Sequence, residues 1–155
     1  MANVRVETTI GVDTTEAINE FMEREWRTSN KETFGRQLTD GEMSQPFIIT
    51  AWASNEEMIG VARCKIVGRT VRVHQLLTKT EYRGKLGVGR KILAKVEQLC
   101  QKNGYHKIRL STSENHNNLD FYKKVGFHVE ATLDNDAFGF KWYILSKFVA
   151  LREEI

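Results

Sequence analysis

Residues 82–90, Tyr-Arg-Gly-Lys-Leu-Gly-Val-Gly-Arg, form the segment of the chain with the clearest potential for chemistry. Gly87 and Gly89 let the backbone pass close to a ligand, because neither has a side chain that would obstruct the approach. The segment opens a predicted helix, and the free N–H groups of a helix start favour a pyrophosphate. Four cations add positive charge there, namely Arg83, Lys85, Arg90 and Lys91. A helix that starts with glycine for steric reasons alone is the alternative interpretation.

Two familiar nucleotide-binding patterns do not fit this segment. The dinucleotide fingerprint needs an acidic residue at the end of the next strand, but residues 107–112 are Lys-Ile-Arg-Leu-Ser-Thr. The Walker phosphate loop needs Gly-Lys-Ser/Thr after its glycines, whereas this chain has Gly89-Arg90-Lys91. Both nucleotide interpretations are therefore excluded.

A second segment, residues 114–127, has the sequence Glu-Asn-His-Asn-Asn-Leu-Asp-Phe-Tyr-Lys-Lys-Val-Gly-Phe. Tyr122 comes one helical turn after Asn118, so both side chains can face one cleft. The hydroxyl of Tyr122 would then be open to the cleft. The alternative is a core tyrosine whose hydroxyl merely finds a hydrogen-bond partner.

Taken together, the two segments resemble the signatures of the GNAT superfamily of N-acetyltransferases. The first is similar to Gln/Arg-x-x-Gly-x-Gly/Ala, and the second to Asn-x-x-Ala-x-x-Phe-Tyr-x-x-x-Gly-Phe. They follow in the family's order and at about its usual separation, and the resemblance covers residues 47–149. There are two departures: three residues rather than two separate Arg83 from Gly87, and Asn118 replaces the customary small residue.

The resemblance implies acetyl-CoA as co-substrate. Backbone groups of Leu76, Leu77 and Thr78 would pair with the pantetheine amides, and one N–H group would polarise the thioester carbonyl. Asn115 and Asn118 would border the pantetheine arm. The pyrophosphate would rest on the glycine-rich loop, which comprises Arg83, Gly84, Lys85, Leu86, Gly87, Val88, Gly89 and Arg90.

The resemblance also implies a catalytic pair. Tyr122 would protonate the departing thiolate, since a phenol with a pKa of about 10 and a thiol are of comparable basicity. His74 occupies the strand position where many relatives carry a glutamate that deprotonates the amine. An imidazole can accept a proton at neutral pH. A strand histidine packed against the neighbouring hairpin is the alternative for His74.

No metal site is predicted from the remaining histidines and cysteines. His106, His116 and His128 lack metal-ligand spacing, and we interpret them as surface or packing residues. Cys64 and Cys100 form neither a metal pair nor a disulfide framework. Each falls where a buried cysteine is ordinary, one on a predicted strand and one on a helix's apolar stripe.

Hydrophobic patterning predicts an α+β fold in a single domain over residues 1–155, with a mixed, mostly antiparallel sheet and about four flanking helices. The resemblance implies that this fold is GNAT-like. A capping box at Asp13 and Glu16 opens the first helix, and residues 27–45 are expected to form a short helix or a mobile loop. Further helices run from the glycine-rich loop to about Lys102, and over about 117–125. Strands are predicted over residues 4–10, 47–53, 58–67, 71–78, 107–112, 127–133 and 140–148.

Charge is unevenly distributed along the chain. Residues 1–60 carry a net −6, residues 61–109 a net +11 and residues 110–155 a net −2. So basic a middle third indicates an anionic partner. Nucleic acid is not expected, because that stretch lacks interleaved aromatic residues and any recognised nucleic-acid motif. No apolar run is long enough to cross a bilayer, so we expect a cytoplasmic protein with no membrane partner, and a homodimer stays open.

We therefore expect an N-acetyltransferase that moves an acetyl group from acetyl-CoA to a primary amine by direct attack. One alternative is a non-catalytic module that binds acyl-CoA, and a weaker one is an amino-sugar-phosphate acetyltransferase. The parts that shape the acceptor pocket in the family are rich in acid here, which favours a small cationic amine or a basic peptide end. Those parts include Glu23, Trp26, Phe34, Asp40, Glu42, Asp134, Asp136 and Phe138.

Overall fold

The computed structural model of the chain describes residue 5, residues 7–11 and residues 13–150. The chain divides into two compact units, Met1–Thr39 and Asp40–Ile155. The strand predicted over residues 4–10 lies partly outside the described residues. Residues 5 and 7–10, which are described, belong to no strand, because alternation alone does not provide the partner strand that a ladder needs.

One long helix, α1 (Glu16–Phe34), dominates the first unit. Thr15 caps it, since the Thr15 side chain accepts a hydrogen bond from the backbone N–H of Ile18 at 3.3 Å. The predicted capping box at Asp13 was wrong, because Glu16 is the first helical residue and cannot reach back from the third position. The helix continues past residue 27 and ends at Gly35, which takes a left-handed conformation.

The second unit contains the remaining helices and all the strands of the described chain. Its α-helices are α2 (Asp40–Met43), α3 (Val88–Asn103) and α4 (Leu119–Lys124). Its strands are β1 (Gln45–Trp52), β2 (Met58–Val67), β3 (Thr70–Thr78), β4 (Lys107–Ser113), β5 (His128–Leu133) and β6 (Trp142–Phe148). Short 3₁₀ turns cover Thr80–Tyr82, Glu114–His116 and Ala137–Gly139. Six of the seven predicted strands are thus confirmed, with small shifts at their ends.

The six strands form one sheet in the order β1-β2-β3-β4-β6-β5. Every neighbouring pair is antiparallel except β3 and β4, which run parallel. The predicted mixed, mostly antiparallel sheet is therefore confirmed. The parallel pairing covers only Thr70–Val73 against Lys107–Leu110. Both strands continue beyond that point without pairing to each other, so their C-terminal ends leave an opening in the sheet.

Helix α3 packs against β1, β2 and β3, and its buried side chains form part of the core. Its buried stripe is Val88, Ile92, Leu93, Val96 and Cys100. Gly60 on β2 allows this packing, because a Cβ there would lie 2.6 Å from Cγ1 of Val88. No helix in the described part of the chain is long and apolar enough to cross a membrane.

Candidate active site

A cavity of about 790 Å³ lies at the opening between the ends of β3 and β4. Its first wall is the end of β3, with Leu76, Leu77 and Thr78. Its second wall is the glycine-rich loop and the start of α3, with Tyr82, Arg83, Gly84, Lys85, Gly87, Val88, Gly89 and Arg90. Its third wall is the segment after β4, with His116, Asn117, Asn118, Phe121 and Tyr122. The two sequence signatures therefore meet in one cavity.

The glycine-rich loop makes a tight turn into α3. Gly84, Leu86 and Gly87 all have left-handed backbones, with φ of 71°, 61° and 59°. A Cβ on Gly84 or Gly87 would meet nothing within 4 Å, so here glycine serves backbone conformation rather than close packing. Gly87 caps α3 without a side-chain hydrogen bond. The first-turn N–H groups of α3 are therefore free for a ligand in the cavity.

Leu86 accommodates the extra residue that separates Arg83 from the loop glycines. Its left-handed backbone costs on the order of 1 kcal/mol for a residue with a side chain. Its side chain is 61% exposed and is not among the residues that line the cavity. The added length therefore bulges outward and leaves the cavity face of the loop to Gly84, Lys85 and Gly87.

Gly89 has a different function from Gly87. It lies inside the first turn of α3, and a Cβ at this position would be 3.2 Å from Cζ of Phe121. The absence of a side chain thus lets the start of α3 approach α4 closely. This contact brings the glycine-rich loop beside Tyr122, the neighbour of Phe121 in sequence.

Tyr122 is buried, with 7% of its surface exposed. Its ring packs edge-on against Phe121, with ring centroids 5.1 Å apart, and against Phe127, at 5.9 Å. Burial raises the pKa of the Tyr122 phenol above its ordinary value. The hydroxyl makes no hydrogen bond within the described part of the chain, so it keeps its proton and can donate it into the cavity that it lines.

Asn118 is fixed in the same wall. Thr112 at the end of β4 donates a hydrogen bond from its hydroxyl to Oδ1 of Asn118 at 2.6 Å. This contact leaves the amide group of Asn118 to face other partners. The backbone oxygen of Asn118 accepts from the N–H of Tyr122 at 3.2 Å. The predicted proximity of Asn118 and Tyr122 is therefore observed.

The cavity is positively charged along its loop wall. Arg83, Lys85 and Arg90 all line it, and Nε of Arg83 donates to the backbone oxygen of Thr78 at 3.4 Å. Three cations beside free helix N–H groups suit a pyrophosphate. The unpaired backbone of β3 suits an amide-bearing arm, as an added strand would. By these two criteria the residues present fit acetyl-CoA.

Three of the predicted site residues do not line the cavity: His74, Leu86 and Asn115. His74 is exposed and is the extra residue of a bulge in β3, because Arg63 pairs with Gln75 while Cys64 pairs with Val73. Asn115 is exposed in the turn after β4. Their functional assignments stay predictions.

Four lining residues were not predicted, namely Tyr82, His116, Asn117 and Phe121. His116 is the most informative, because it is exposed and packs against Trp142 as expected, and it also lies on the cavity wall. Oγ of Ser113 lies 2.7 Å from Nδ1 of His116, and the imidazole packs edge-on against Trp142 with ring centroids 6.2 Å apart. The signal was available in the sequence, since His116 lies inside the second signature.

Comparison with known proteins identifies the family. The model of the acetyltransferase (GNAT) family matches residues 12–127, and the chain belongs to this family. It is therefore an acyltransferase that uses acetyl-CoA, and the sequence-based expectation of family and reaction class is confirmed. Within the described residues, no group of three or more His, Cys, Asp or Glu side chains could hold a metal ion.

Solved structures agree on the fold at low sequence identity. An acetyltransferase from Bacillus cereus is 16% identical, with a TM-score of 0.71 over 94% of this chain and 98% of that one. The ribosomal-protein-S18-alanine N-acetyltransferase from Escherichia coli is also 16% identical, with a TM-score of 0.63 over 80% and 79%. The PaiA N-acetyltransferase from Thermoplasma acidophilum, solved with coenzyme A, is 22% identical, with a TM-score of 0.57 over 89% and 81%. No curated protein sequence matches the chain.

Proposed function

We propose that this protein transfers the acetyl group of acetyl-CoA to a primary amine by direct attack in a ternary complex. The observation that carries the proposal is the cavity of about 790 Å³, in which the end of β3, the start of α3 and Tyr122 face one space. Acetyl-CoA supplies the activated thioester. The other requirements of the reaction are binding, orientation and proton transfer, and these fall to the residues of the chain.

Binding divides between two walls of the cavity. The backbone of Leu76 and Leu77, which has no partner on its β4 side, is free to pair with the amides of the pantetheine arm, whereas the backbone oxygen of Thr78 accepts from Nε of Arg83. The first-turn N–H groups of α3, together with Arg83 and Arg90, hold the pyrophosphate. The arm would then lead from the loop toward Tyr122.

Tyr122 acts as general acid in this proposal. The amine nitrogen forms a bond to the acetyl carbon, the carbon–sulfur bond breaks, and the phenol gives its proton to the departing sulfur. Because burial raises the pKa of Tyr122, the phenol stays protonated throughout the neutral range and is ready to donate. The proton lost by the amine goes to a base, for which the sequence resemblance suggested His74.

The two cysteines support direct attack rather than a covalent enzyme intermediate. Cys64 and Cys100 are buried, with 4% and 0% exposed. Burial raises the pKa of the Cys64 thiol to about 12 and that of Cys100 to about 11. Both thiols therefore stay protonated and inaccessible at neutral pH, and neither can accept the acetyl group.

A small cationic amine or a basic peptide end is the acceptor that we propose. The connection between β5 and β6 supports it, because Asp136 and Phe138 are exposed there, whereas the exposed Asp134 has Lys141 as an ion-pair partner at 3.8 Å. Carboxylates and an aromatic ring are groups that attract a cation. A protein acceptor is among the candidates, as the name of the Escherichia coli structure gives an alanine of ribosomal protein S18 for that protein.

An acceptor screen tests this proposal. The purified protein is mixed with acetyl-CoA and one amine at a time, and free thiol release is followed with a thiol reagent. The panel contains diamines and polyamines, peptides with basic N-termini, and an amino-sugar phosphate. Background should be low because both cysteines are buried. We expect turnover with cationic amines, whereas turnover confined to the amino-sugar phosphate would contradict the proposed acceptor class.

A further inference from the structure

His116 lies where the acetyl-CoA cavity meets the connection between β5 and β6. It lines the cavity on the same wall as Asn118 and Tyr122. On its other side the imidazole contacts Trp142, the first residue of β6, with an interplanar angle of 61°. Trp142 is held in turn, since its indole N–H donates to the backbone oxygen of Ala137 at 2.9 Å. An imidazole thus stands between the cofactor cavity and the exposed acidic connection.

Ser113 orients this imidazole. Its side chain is buried, with 3% exposed, and its Oγ lies 2.7 Å from Nδ1 of His116. When Nδ1 carries the proton and donates it to Ser113, Nε2 has a free lone pair. A histidine that has one nitrogen fixed in this way and the other open is suited to accept a proton.

We propose that His116 is the base that takes the proton of the attacking amine, an inference that rests on the proposed function. As the nitrogen–carbon bond forms and the carbon–sulfur bond breaks, Nε2 of His116 receives one proton from the amine and Tyr122 gives one to sulfur. His116 then returns its proton to water, and Tyr122 regains one from water. Protons are thereby conserved, and no oxidant or further reactant is needed.

His74 is the alternative candidate for the base that takes the proton of the amine. It lies at the β3 bulge, does not line the cavity, and its imidazole makes no hydrogen bond within the described residues. His116 is also exposed, but it lines the cavity and has Ser113 as a partner at Nδ1. If His116 is the base, His116→Ala loses the proton acceptor. If His74 is the base, His74→Ala loses it.

Charged and titratable groups surround His116 on several elements, so pH profiles should be taken at one ionic strength. Glu114 belongs to the same turn, where it accepts a hydrogen bond from the backbone N–H of Lys141 at 3.2 Å. Lys141 directly precedes Trp142, the first residue of β6. Across the cavity stand Tyr82, Arg83, Lys85, Arg90 and Tyr122.

The test compares His116→Ala with His74→Ala, and with His106→Ala as a matched control. His106 is an exposed imidazole outside the cavity. We expect His116→Ala to lower kcat by about 10²–10⁴ and to remove the rise of rate with pH. Added imidazole should restore part of the rate. Calorimetry should give an unchanged Kd for coenzyme A, and His106→Ala should behave as wild type.

Ser113→Ala tests the orientation separately. The imidazole remains but loses its partner at Nδ1, so kcat should fall less than in His116→Ala, with an unchanged Kd for coenzyme A. A fall in coenzyme A affinity with kcat unchanged in His116→Ala would overturn the proposal and make His116 a binding residue. Loss of the pH limb and imidazole rescue in His74→Ala alone would also overturn it. A wild-type protein that releases no thiol with any amine would defeat the proposed function itself.

Discussion

At Tyr122, the rings of Phe121 and Phe127 exclude water from most of the phenol. This burial raises the pKa of the phenol, so the proton is retained well into alkaline solution. The same side chain lines the proposed acetyl-CoA cavity. The same environment keeps the proton on the phenol and places the phenol at the cavity, as the proposed role of general acid for a thiolate requires.

The variant Tyr122→Phe isolates that proton, because the ring and its packing are kept. We expect kcat to fall by about 10²–10⁴, the usual range for a general acid, with little change in the Kd for acetyl-CoA. Steady-state kinetics and calorimetry on the same preparation measure both quantities. Wild-type turnover in this variant would make Tyr122 a core residue only.

Gly87 offers a test of the pyrophosphate site that has a matched control. Its φ of 59° disfavours any side chain, so Gly87→Val should cost about 1 kcal/mol or more of stability and weaken acetyl-CoA binding at least tenfold. Gly68, in the turn between β2 and β3, has φ of 55° and equally open surroundings. Gly68→Val should show the loss of stability without the loss of affinity.

Calorimetry with coenzyme A measures the affinity of each glycine variant, and urea unfolding measures its stability. Equal affinity losses in both glycine variants would attribute the effect to general destabilisation. Unchanged affinity in a folded Gly87→Val protein would remove the pyrophosphate from this loop.

At the scale of the elements, the alternating strands and the α3 stripe could be predicted because burial on one face of a sheet or helix imposes a period on the sequence. What the period does not encode is local irregularity. The bulge at His74 gives β3 one residue that has no partner on β2. The position of His74 in the sequence therefore could not predict which groups surround its side chain. The choice of Thr15 over Asp13 as cap depends on where the first helical residue falls.

The candidate site could be predicted from the sequence only in part. The two signatures identified most of the lining residues, because phosphate and thioester chemistry restricts residue types along those segments. His116 was missed although its segment was identified, because its place on the cavity wall depends on packing against Trp142, which lies far along the chain on β6. Contacts across strands follow from topology and register, which a single sequence does not specify.

Packing between β2 and α3 gives a prediction at this scale. A Cβ on Gly60 would lie 2.6 Å from Cγ1 of Val88 and 2.9 Å from Cδ1 of Ile92. Gly60→Ala should therefore destabilise the protein by about 1–3 kcal/mol through overpacking, measured by urea unfolding. Adding Val88→Ala removes the nearest methyl group, so the double variant should lose less than the sum of the single effects. Strict additivity would show that this contact does not limit the packing.

For the whole molecule, the buried thiols make stability depend on alkaline pH. Folding raises the pKa of Cys64 from 9.0 to about 12, by burial and then by the neighbouring Cys100. It raises that of Cys100 from 9.0 to about 11, by burial and then by Glu97. The folded state thus holds protons that the unfolded chain releases above pH 9. Stability is fully present below that pH and falls as the pH rises toward 11 to 12.

We expect each thiol to account for a loss on the order of 1–2 kcal/mol of unfolding free energy between pH 8 and pH 10.5. The test is urea unfolding of the wild type and of the Cys64→Ala/Cys100→Ala double variant at both pH values. The difference between the two proteins isolates the contribution of the thiols, because all other groups that titrate at alkaline pH are present in both. The decline should be shallower in the double variant. Parallel declines would contradict the assignment of raised pKa values to these thiols.

The measurement that tests the account most directly is a titration with coenzyme A that is followed amide by amide by NMR. Coenzyme A should bind in the cavity between the ends of β3 and β4, so chemical-shift changes should concentrate in residues 76–78, 84–90 and 116–122. Amides of β5 (His128–Leu133), at the far edge of the sheet, should stay unchanged. A second cavity, of about 720 Å³, lies between β1 and α3 and is lined by residues such as Ile48, Thr50, Lys95 and Leu99. Shifts centred on that second cavity, with the first set of amides unmoved, would contradict the account.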